Sequence, residues 1–315
     1  MEVKKIKTQK LIHTSPYTRP ANFAQFVGQT DIKKALKSAI LASQKTNAPI
    51  GHILFSWESG YGKTTLAQII ANELGTQIKI ITWYAITKPA EIISILSSLQ
   101  PRDILFIDEI HRLKPNIEEI LYIAMEDFAI DMVMPEGGNI RVDVAPFTLI
   151  GATTRLEALS LPLKNRFVYK FHFGPYTPQQ KQQILKMYLT QNNIIPAKPS
   201  LLKEISQMIV DTPREIYNFA IQLKDYLLSN HKDLYLDQQK REEFKAWAKL
   251  QKGGLSHLHR AYLQVLKQAD GKPVGLKTIA GKLGINEKSI EQDIEPLLLK
   301  LGLVQKTSQG RVLNE

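Results

Sequence analysis

Cysteine is absent from the 315 residues, which removes disulfides, thiolate metal sites and cysteine nucleophiles together. The seven histidines are scattered. His257 and His259 are close, but a pair without carboxylate neighbours reads as surface rather than as a zinc site. No apolar run approaches the length of a membrane-spanning helix, and Met1 to Lys10 is polar and basic, with no stretch fit to be a secretory segment. The expected address is the cytoplasm, with no membrane partner. Acidic residues are the minority charge: 30 Asp plus Glu face 41 Lys plus Arg, for a net charge of +11. That excess suits a polyanionic partner whose counterions are released on binding, and it suits equally a Lys-rich surface kept soluble by charge. Lys4, Lys5, Lys7, Lys10, Lys33, Lys34 and Lys37 put part of it near the N-terminus, in no block dense enough to be a basic tail.

An apolar fraction of 43% is enough for globular cores, and the length allows two or three domains. Apolar residues recur at helical spacing from Asp31 to Gln44, behind Thr30 as a possible cap. "HILFS" (His52 to Ser56) then reads as a short strand, followed by a Gly-rich turn and a helix from Lys63 to Leu74 that Gly75 stops. "QIKIIT" (Gln77 to Thr82), "DILFID" (Asp103 to Asp108), "FTLIG" (Phe147 to Gly151) and "VYKFHF" (Val168 to Phe173) read as further strands. Helical stretches such as Glu91 to Leu99 and Ile117 to Phe128 separate most of them. This alternation predicts a parallel sheet wrapped by helices. It is interrupted once. "IDMVMPEGGNIRVDV" carries Ile130, Met132 and Met134 at period two, a Pro-Glu-Gly-Gly-Asn turn, then Ile140, Val142 and Val144, which predicts a β-hairpin over 130–144.

Beyond Tyr176 the strand signal stops, and Thr177 to Asn192, Ser200 to Val210 and Pro213 to Leu228 read as helices of a small second domain. "KGG" (Lys252 to Gly254) reads as a hinge. After it, "LKTIAGKLGINEKSIEQDIEPLLLKLG" has the layout of a helix-turn-helix, with Ala280 packing in the first helix and Gly284 in the turn. "LVQKTSQGRVLNE" adds two short strands around a polar tip. The sum is a winged helix, a module that binds DNA in many proteins and only protein in others. The expected organisation is an α/β P-loop domain with a parallel sheet (1–175), a small all-α domain (176–252) and a C-terminal winged helix (253–315).

"SWESGYGKTT" (Ser56 to Thr65) carries the chemistry. A phosphate-binding loop needs glycines so that backbone N–H groups point at phosphates, a Lys for the β and γ groups, and a hydroxyl for Mg²⁺. Gly60, Gly62, Lys63 and Thr64 supply these, while the opening glycine of the motif falls at Trp57 and is missing. "ILFIDE" ends a buried strand with Asp108, suited to hold Mg²⁺, and Glu109, suited to orient or deprotonate a water. Paired carboxylates at the C-terminal edge of a parallel strand lie where such sheets bind ligands.

"LFIDEIHRL", "EEILYIAMEDF", "FTLIGATTR" and "GKPVGLKTIAGKLG" resemble the RuvB family, hexameric AAA+ motors that drive branch migration of Holliday junctions together with RuvA. The similarity runs from about Arg19 to Arg311. It implies ATP and Mg²⁺ as cofactors, with Gly60, Gly62, Lys63, Thr64 and Thr65 in Walker A and Asp108 and Glu109 in Walker B. Metal contacts then fall to Thr64 and Asp108. It implies further that Thr154 in "GATTR" is sensor 1, that Arg166 in "LKNRF" is an arginine finger acting on an adjacent subunit, and that Arg214 in "DTPRE" is sensor 2 on a lid domain. Arg19 and Tyr176 are implied nucleotide contacts. A homohexamer encircling duplex DNA, a RuvA-type partner docked on the 130–144 hairpin, and wing contacts to DNA from Arg311 and Lys306 complete the expectation. The corresponding function is ATP-driven translocation in recombination and repair.

The family's Gly-Pro-Pro-Gly is Trp57-Glu58-Ser59-Gly60 here. Glycine at the first position permits backbone dihedrals that tryptophan adopts less readily. Glu58 brings a negative charge to a triphosphate site. At ~6 Å from one phosphate charge the repulsion is roughly 3 kcal/mol at an effective dielectric of ~20, and it falls below about 1 kcal/mol if the side chain points into water. Lys164 stands where the family usually has Arg, which keeps the charge but loses the planar fork. Two readings follow: a working ATPase that tolerates the bulky first position, or a relative with weak or lost turnover that serves as a DNA- and RuvA-binding module.

Overall fold

The computed structural model describes residues 19–133, 139–209, 212–249 and 254–314. The chain packs as two compact units, the first ending at Tyr176 and the second beginning at Thr177.

Five strands of the first unit run parallel: β1 (Ile53–Ser56), β2 (Ile78–Thr82), β3 (Ile104–Asp108), β6 (Thr148–Thr153) and β7 (Tyr169–His172), in the spatial order β2-β3-β6-β1-β7. Strands at the centre of a sheet covered on both faces are apolar throughout rather than alternating. Ile104, Leu105, Phe106 and Ile107 are all fully buried, as is the whole of β6. Burying each such side chain contributes roughly 1.5–3 kcal/mol, so β3 is anchored against any shift that would move Asp108. The helices between the strands are α1 (Thr30–Thr46), α2 (Lys63–Leu74), α3 (Pro89–Ser97), α4 (Pro115–Asp127) and α5 (Leu161–Arg166). Helix α2 spans the predicted residues, and Gly75 ends it in the left-handed conformation. Thr30 is not the cap of α1: Gln29 precedes the helix at φ 49° without a side-chain cap, and its amide instead exchanges two hydrogen bonds with the backbone of Gly174.

The inserted hairpin is present as β4 (Ala129–Val133) and β5 (Asn139–Asp143), paired antiparallel with Ile130 opposite Val142. Ile130 and Val144 belong to the main core at its base, whereas Ile140 is exposed. Met134 and the turn lie outside the described residues.

The second unit opens with α6 (Pro178–Gln191), α7 (Pro199–Ser206), α8 (Pro213–Asn230) and α9 (Gln238–Trp247). Contrary to the expectation that strands stop after Tyr176, Ile195–Pro196 (β8) and Tyr235–Leu236 (β9) pair in parallel across this helical region. Two residues are too few to leave a period in the sequence. Further on, α10 (His257–Lys267), α11 (Leu276–Leu283), α12 (Glu287–Ser289), a π-turn over Ile290–Ile294 and α13 (Glu295–Lys300) pack around Tyr262, Ile279, Ile290 and Leu298. The wing is β10 (Val304–Thr307) paired with β11 (Gly310–Leu313). Gly310 is required there: at φ 150° an added Cβ would stand 2.5 Å from the carbonyl oxygen of Val274, whose backbone bridges to Arg311. The parallel P-loop sheet, the helical region and the winged helix are thus all present in the order the sequence indicates. No helix among the described residues is long and apolar enough to cross a membrane.

Candidate nucleotide site and winged helix

Strand order brings the candidate residues together. Strand β6 lies between β1 and β3, so the loop after β1, the end of β6 and the carboxylates after β3 share one sheet edge. Register sets Ser56 beside Thr153.

The loop after β1 folds as a phosphate loop despite its first residue. Gly60 and Gly62 lie at φ 86° and 96°, and Gly62 is doubly constrained, because an added Cβ would meet the Phe26 ring at 3.0 Å. Trp57 lies at φ 153°, a region that residues bearing a Cβ enter only at a cost of roughly 1–3 kcal/mol. Its ring is held by edge-to-face contacts with His172 and Tyr61, at centroid distances of 4.5 and 6.1 Å. Its buried indole N–H has no hydrogen-bond partner among the described residues. Behind the loop, the fully buried Tyr61 stacks on Tyr176, whose hydroxyl donates to the Tyr61 carbonyl at 3.1 Å. Tyr176 therefore props the loop from within.

Lys63 opens α2, is buried, and donates from Nζ to the carbonyls of Trp57 and Glu58 at 2.6 and 2.9 Å. The ammonium thereby spans the start of the loop. Thr65 is buried beside it, Thr64 is half-buried, and Glu58 is exposed. An exposed Glu58 is the case in which its charge costs phosphate binding little. Arg19 donates to Gln68 on the same helix at 3.2 Å.

Glu109 follows Asp108 in the left-handed conformation, at φ 49°. Its Oε2 accepts the Thr154 hydroxyl at 2.9 Å and the Thr154 N–H at 3.2 Å. The expected water-orienting carboxylate and sensor 1 are thus in direct contact. Arg166, at the end of α5, pairs with Glu126 and lies over the Tyr122 ring at 5.9 Å, both on α4. It is thereby held against α4. Arg214 lies in the first turn of α8, in the second unit.

In the winged helix, Arg311 and Lys306 converge on a carboxylate that the sequence reading overlooked. Glu295 is fully buried and accepts from Arg311 Nε at 2.7 Å and from the Tyr262 hydroxyl at 3.0 Å, and its Oε2 pairs with Lys306 Nζ at 2.6 Å. Arg311 also reaches Glu291 at 3.2 Å. Burial pushes Glu295 up, but the hydrogen bonds from Arg311, Lys306 and Tyr262 outweigh it and hold the carboxyl below its ordinary value. Arg311 is raised, chiefly by Glu295. The two wing cations differ in reach, since the Lys306 side chain is 45% exposed and that of Arg311 15%.

His111 was also overlooked, as one of several scattered histidines. It lies 3.2 Å from Glu109 Oε2 and 2.9 Å from Thr153 Oγ1. Its position two residues after Glu109, in "DEIH", was the available signal.

For Mg²⁺, the donor set fits a hard cation: one carboxylate, Asp108, and one hydroxyl, Thr64, would hold it beside phosphate oxygens and water, the usual Mg²⁺ arrangement. No cluster of three His, Asp or Glu suited to an all-protein metal site occurs among the described residues.

A phosphate loop one strand from an acidic strand end, with a helical region and a winged helix downstream, defines an AAA+ P-loop ATPase carrying a nucleic-acid-type module. Residues 18–173 match the Holliday junction DNA helicase RuvB P-loop domain family, and 252–315 match the RuvB C-terminal winged helix domain family. The chain is 38% identical over 315 residues to the Holliday junction branch migration complex subunit RuvB of Campylobacter lari, covering 99% of this chain and 93% of that protein. It is 40% identical over 300 residues to the subunit of the same name from Helicobacter acinonychis, covering 93% and 88%. Among solved structures, the Thermotoga maritima RuvB Holliday junction branch migration motor superposes with a TM-score of 0.79 at 32% identity, covering 94% of this chain and 95% of that one. The chain belongs to the RuvB family.

Proposed function

We propose that this protein is an ATP-hydrolysing motor that assembles as a homohexamer on duplex DNA and moves the branch point of Holliday junctions in recombination and repair, in the cytoplasm, with a RuvA-type partner. The observation that carries the reading is the contact of Glu109 with Thr154, one strand from Lys63 at the C-terminal edge of the sheet. The γ-phosphoryl group of ATP passes to water, and Mg²⁺, when bound, would supply neutralisation of the charge that develops. Lys63 exchanges the Trp57 and Glu58 carbonyls for phosphate oxygens. The backbone N–H groups from Gly60 to Thr65 line the phosphates at the helix N-terminus. Asp108 and Thr64 would hold the metal, and Glu109 orients the water while Thr154 fixes Glu109. Arg166 leaves Glu126 to stabilise the transition state on the adjacent subunit, and Arg214 senses nucleotide from the second unit. Arg19 and the Tyr61–Tyr176 stack flank the nucleotide. The 130–144 hairpin docks the RuvA-type partner, and Lys306, with Arg311 behind it, meets DNA phosphates.

The alternative of a binding module without turnover rests on Trp57 at φ 153°. Against it, Lys63 has its place at the head of α2, and Glu109 has its place on Thr154. The reading is tested on a synthetic four-way junction with ATP, Mg²⁺ and a RuvA-type protein. ATP-dependent strand exchange is expected, together with DNA affinity that falls steeply with salt and shows no sequence preference. Junction binding without strand exchange would select the module instead.

A further inference from the structure

Two donors and one imidazole nitrogen converge on one oxygen of Glu109. Thr154 gives its N–H and its hydroxyl to Oε2, and His111 Nδ1 stands 3.2 Å from the same atom. Nδ1 is also 2.9 Å from Thr153 Oγ1, which already accepts the N–H of Arg155 at 2.9 Å. The His111 side chain is 5% exposed and that of Glu109 26%. A bare Nδ1 lone pair would face a carboxylate oxygen and repel it, whereas a proton on Nδ1 turns that 3.2 Å contact attractive while donating to Thr153 Oγ1. Burial pushes the imidazole pKa down more than Glu109 pulls it up, with Arg112 and Arg155 adding to the depression. The ring is therefore neutral near pH 7, with one proton to place.

We propose that His111 is a positioning residue for Glu109: as the Nδ1–H tautomer it fastens the carboxylate to the end of β6 and leaves Oε1 as the oxygen that accepts from the attacking water. The inference rests on the ATP-hydrolysis reading and adds a residue to it. Ile110 and Leu113, both buried on either side of His111 and Arg112, fix the turn that aims the ring. The tie spans two neighbouring strands, since His111 follows β3 while Thr153 ends β6 and Thr154 follows it. Misplacement of a reacting group by about 1 Å costs on the order of 100-fold in rate, so a carboxylate released from this tie loses rate through orientation.

The test uses the full chain with His111→Asn, His111→Gln and His111→Leu. The Asn amide N–H falls where Nδ1–H stands, whereas the Gln amide reaches the position of Nε2. His111→Leu is expected to lower kcat by roughly 30- to 100-fold with KM changed less than about threefold, as for loss of orientation rather than of binding. His111→Asn recovers most of the rate and His111→Gln little of it. Far-UV circular dichroism and binding of a fluorescent ATP analogue confirm that each variant folds. Independently of turnover, long-range ¹H–¹⁵N spectra of the imidazoles, with the His111 signal assigned by its loss in His111→Asn, are expected to show the Nδ1–H tautomer. An Nε2–H tautomer, or unchanged kcat in His111→Leu beside an active wild type, overturns the inference alone. A wild type with no Lys63-dependent hydrolysis overturns the functional reading, and the role of His111 with it.

Discussion

Trp57 is the residue at which sequence and fold conflict most, and the conflict gives a measurable difference between two small substitutions. Trp57→Ala and Trp57→Gly both remove the edge-to-face contacts with His172 and Tyr61, each worth about 0.5–1.5 kcal/mol. Both also remove a buried indole N–H that has no partner among the described residues, which offsets part of that loss by about 1 kcal/mol or more. Only glycine relieves the backbone at φ 153°, a gain of roughly 1–3 kcal/mol. Against this, glycine costs about 0.5–1 kcal/mol more than alanine in chain entropy. Trp57→Gly is therefore expected to be more stable than Trp57→Ala by about 1–2 kcal/mol. Urea unfolding of the full chain followed by far-UV circular dichroism reads the difference as a shift in midpoint at constant slope. If Trp57→Ala is as stable as Trp57→Gly or more so, the first position of the loop is not strained and the reasoning fails.

Other consequences follow from the same geometry. Arg166→Ala should leave binding of a fluorescent ATP analogue intact and lower hydrolysis by about 10³-fold or more, as for an arginine finger acting in trans; a loss below tenfold would return Arg166 to a structural pair with Glu126. Glu295 has a depressed pKa in the folded protein, so its stabilisation is present above the ordinary carboxylate value and is lost as pH falls through the depressed one. Glu295→Gln should accordingly be less stable than the wild type at pH 6, with the gap narrowing below about pH 4. A gap independent of pH, in urea midpoints across that range, would mean that the Arg311 and Lys306 pairs do not set the acid response.

Legibility in the sequence followed the range of the interactions. Strand β3 could be read because burial on both faces forces an unbroken apolar run, and α2 because its glycine-rich start and its Gly75 stop are local signals. The candidate phosphate-loop and strand-end residues stood out for the same reason, as the chemistry expected of them depends on near neighbours. What escaped depends on residues far apart in the chain. Trp57 finds His172 only through the pairing of β1 with β7, and Glu295 gathers Tyr262, Lys306 and Arg311 only when the wing folds back on the helices. Gln29 displaced Thr30 from the expected capping role because it bonds to Gly174, 145 positions along the chain. The short β8–β9 pair left no periodicity to detect.

The most direct test of the central claim, that the loop begun by Trp57 still supports phosphoryl transfer, is Mg²⁺-dependent ATP hydrolysis by the full chain with and without duplex DNA, beside Lys63→Ala. The account predicts turnover in the natural protein, raised by DNA and abolished by Lys63→Ala. No turnover in the natural protein, appearing only when Trp57-Glu58-Ser59 is replaced by Gly-Pro-Pro, would contradict it and leave a binding module on a motor's fold.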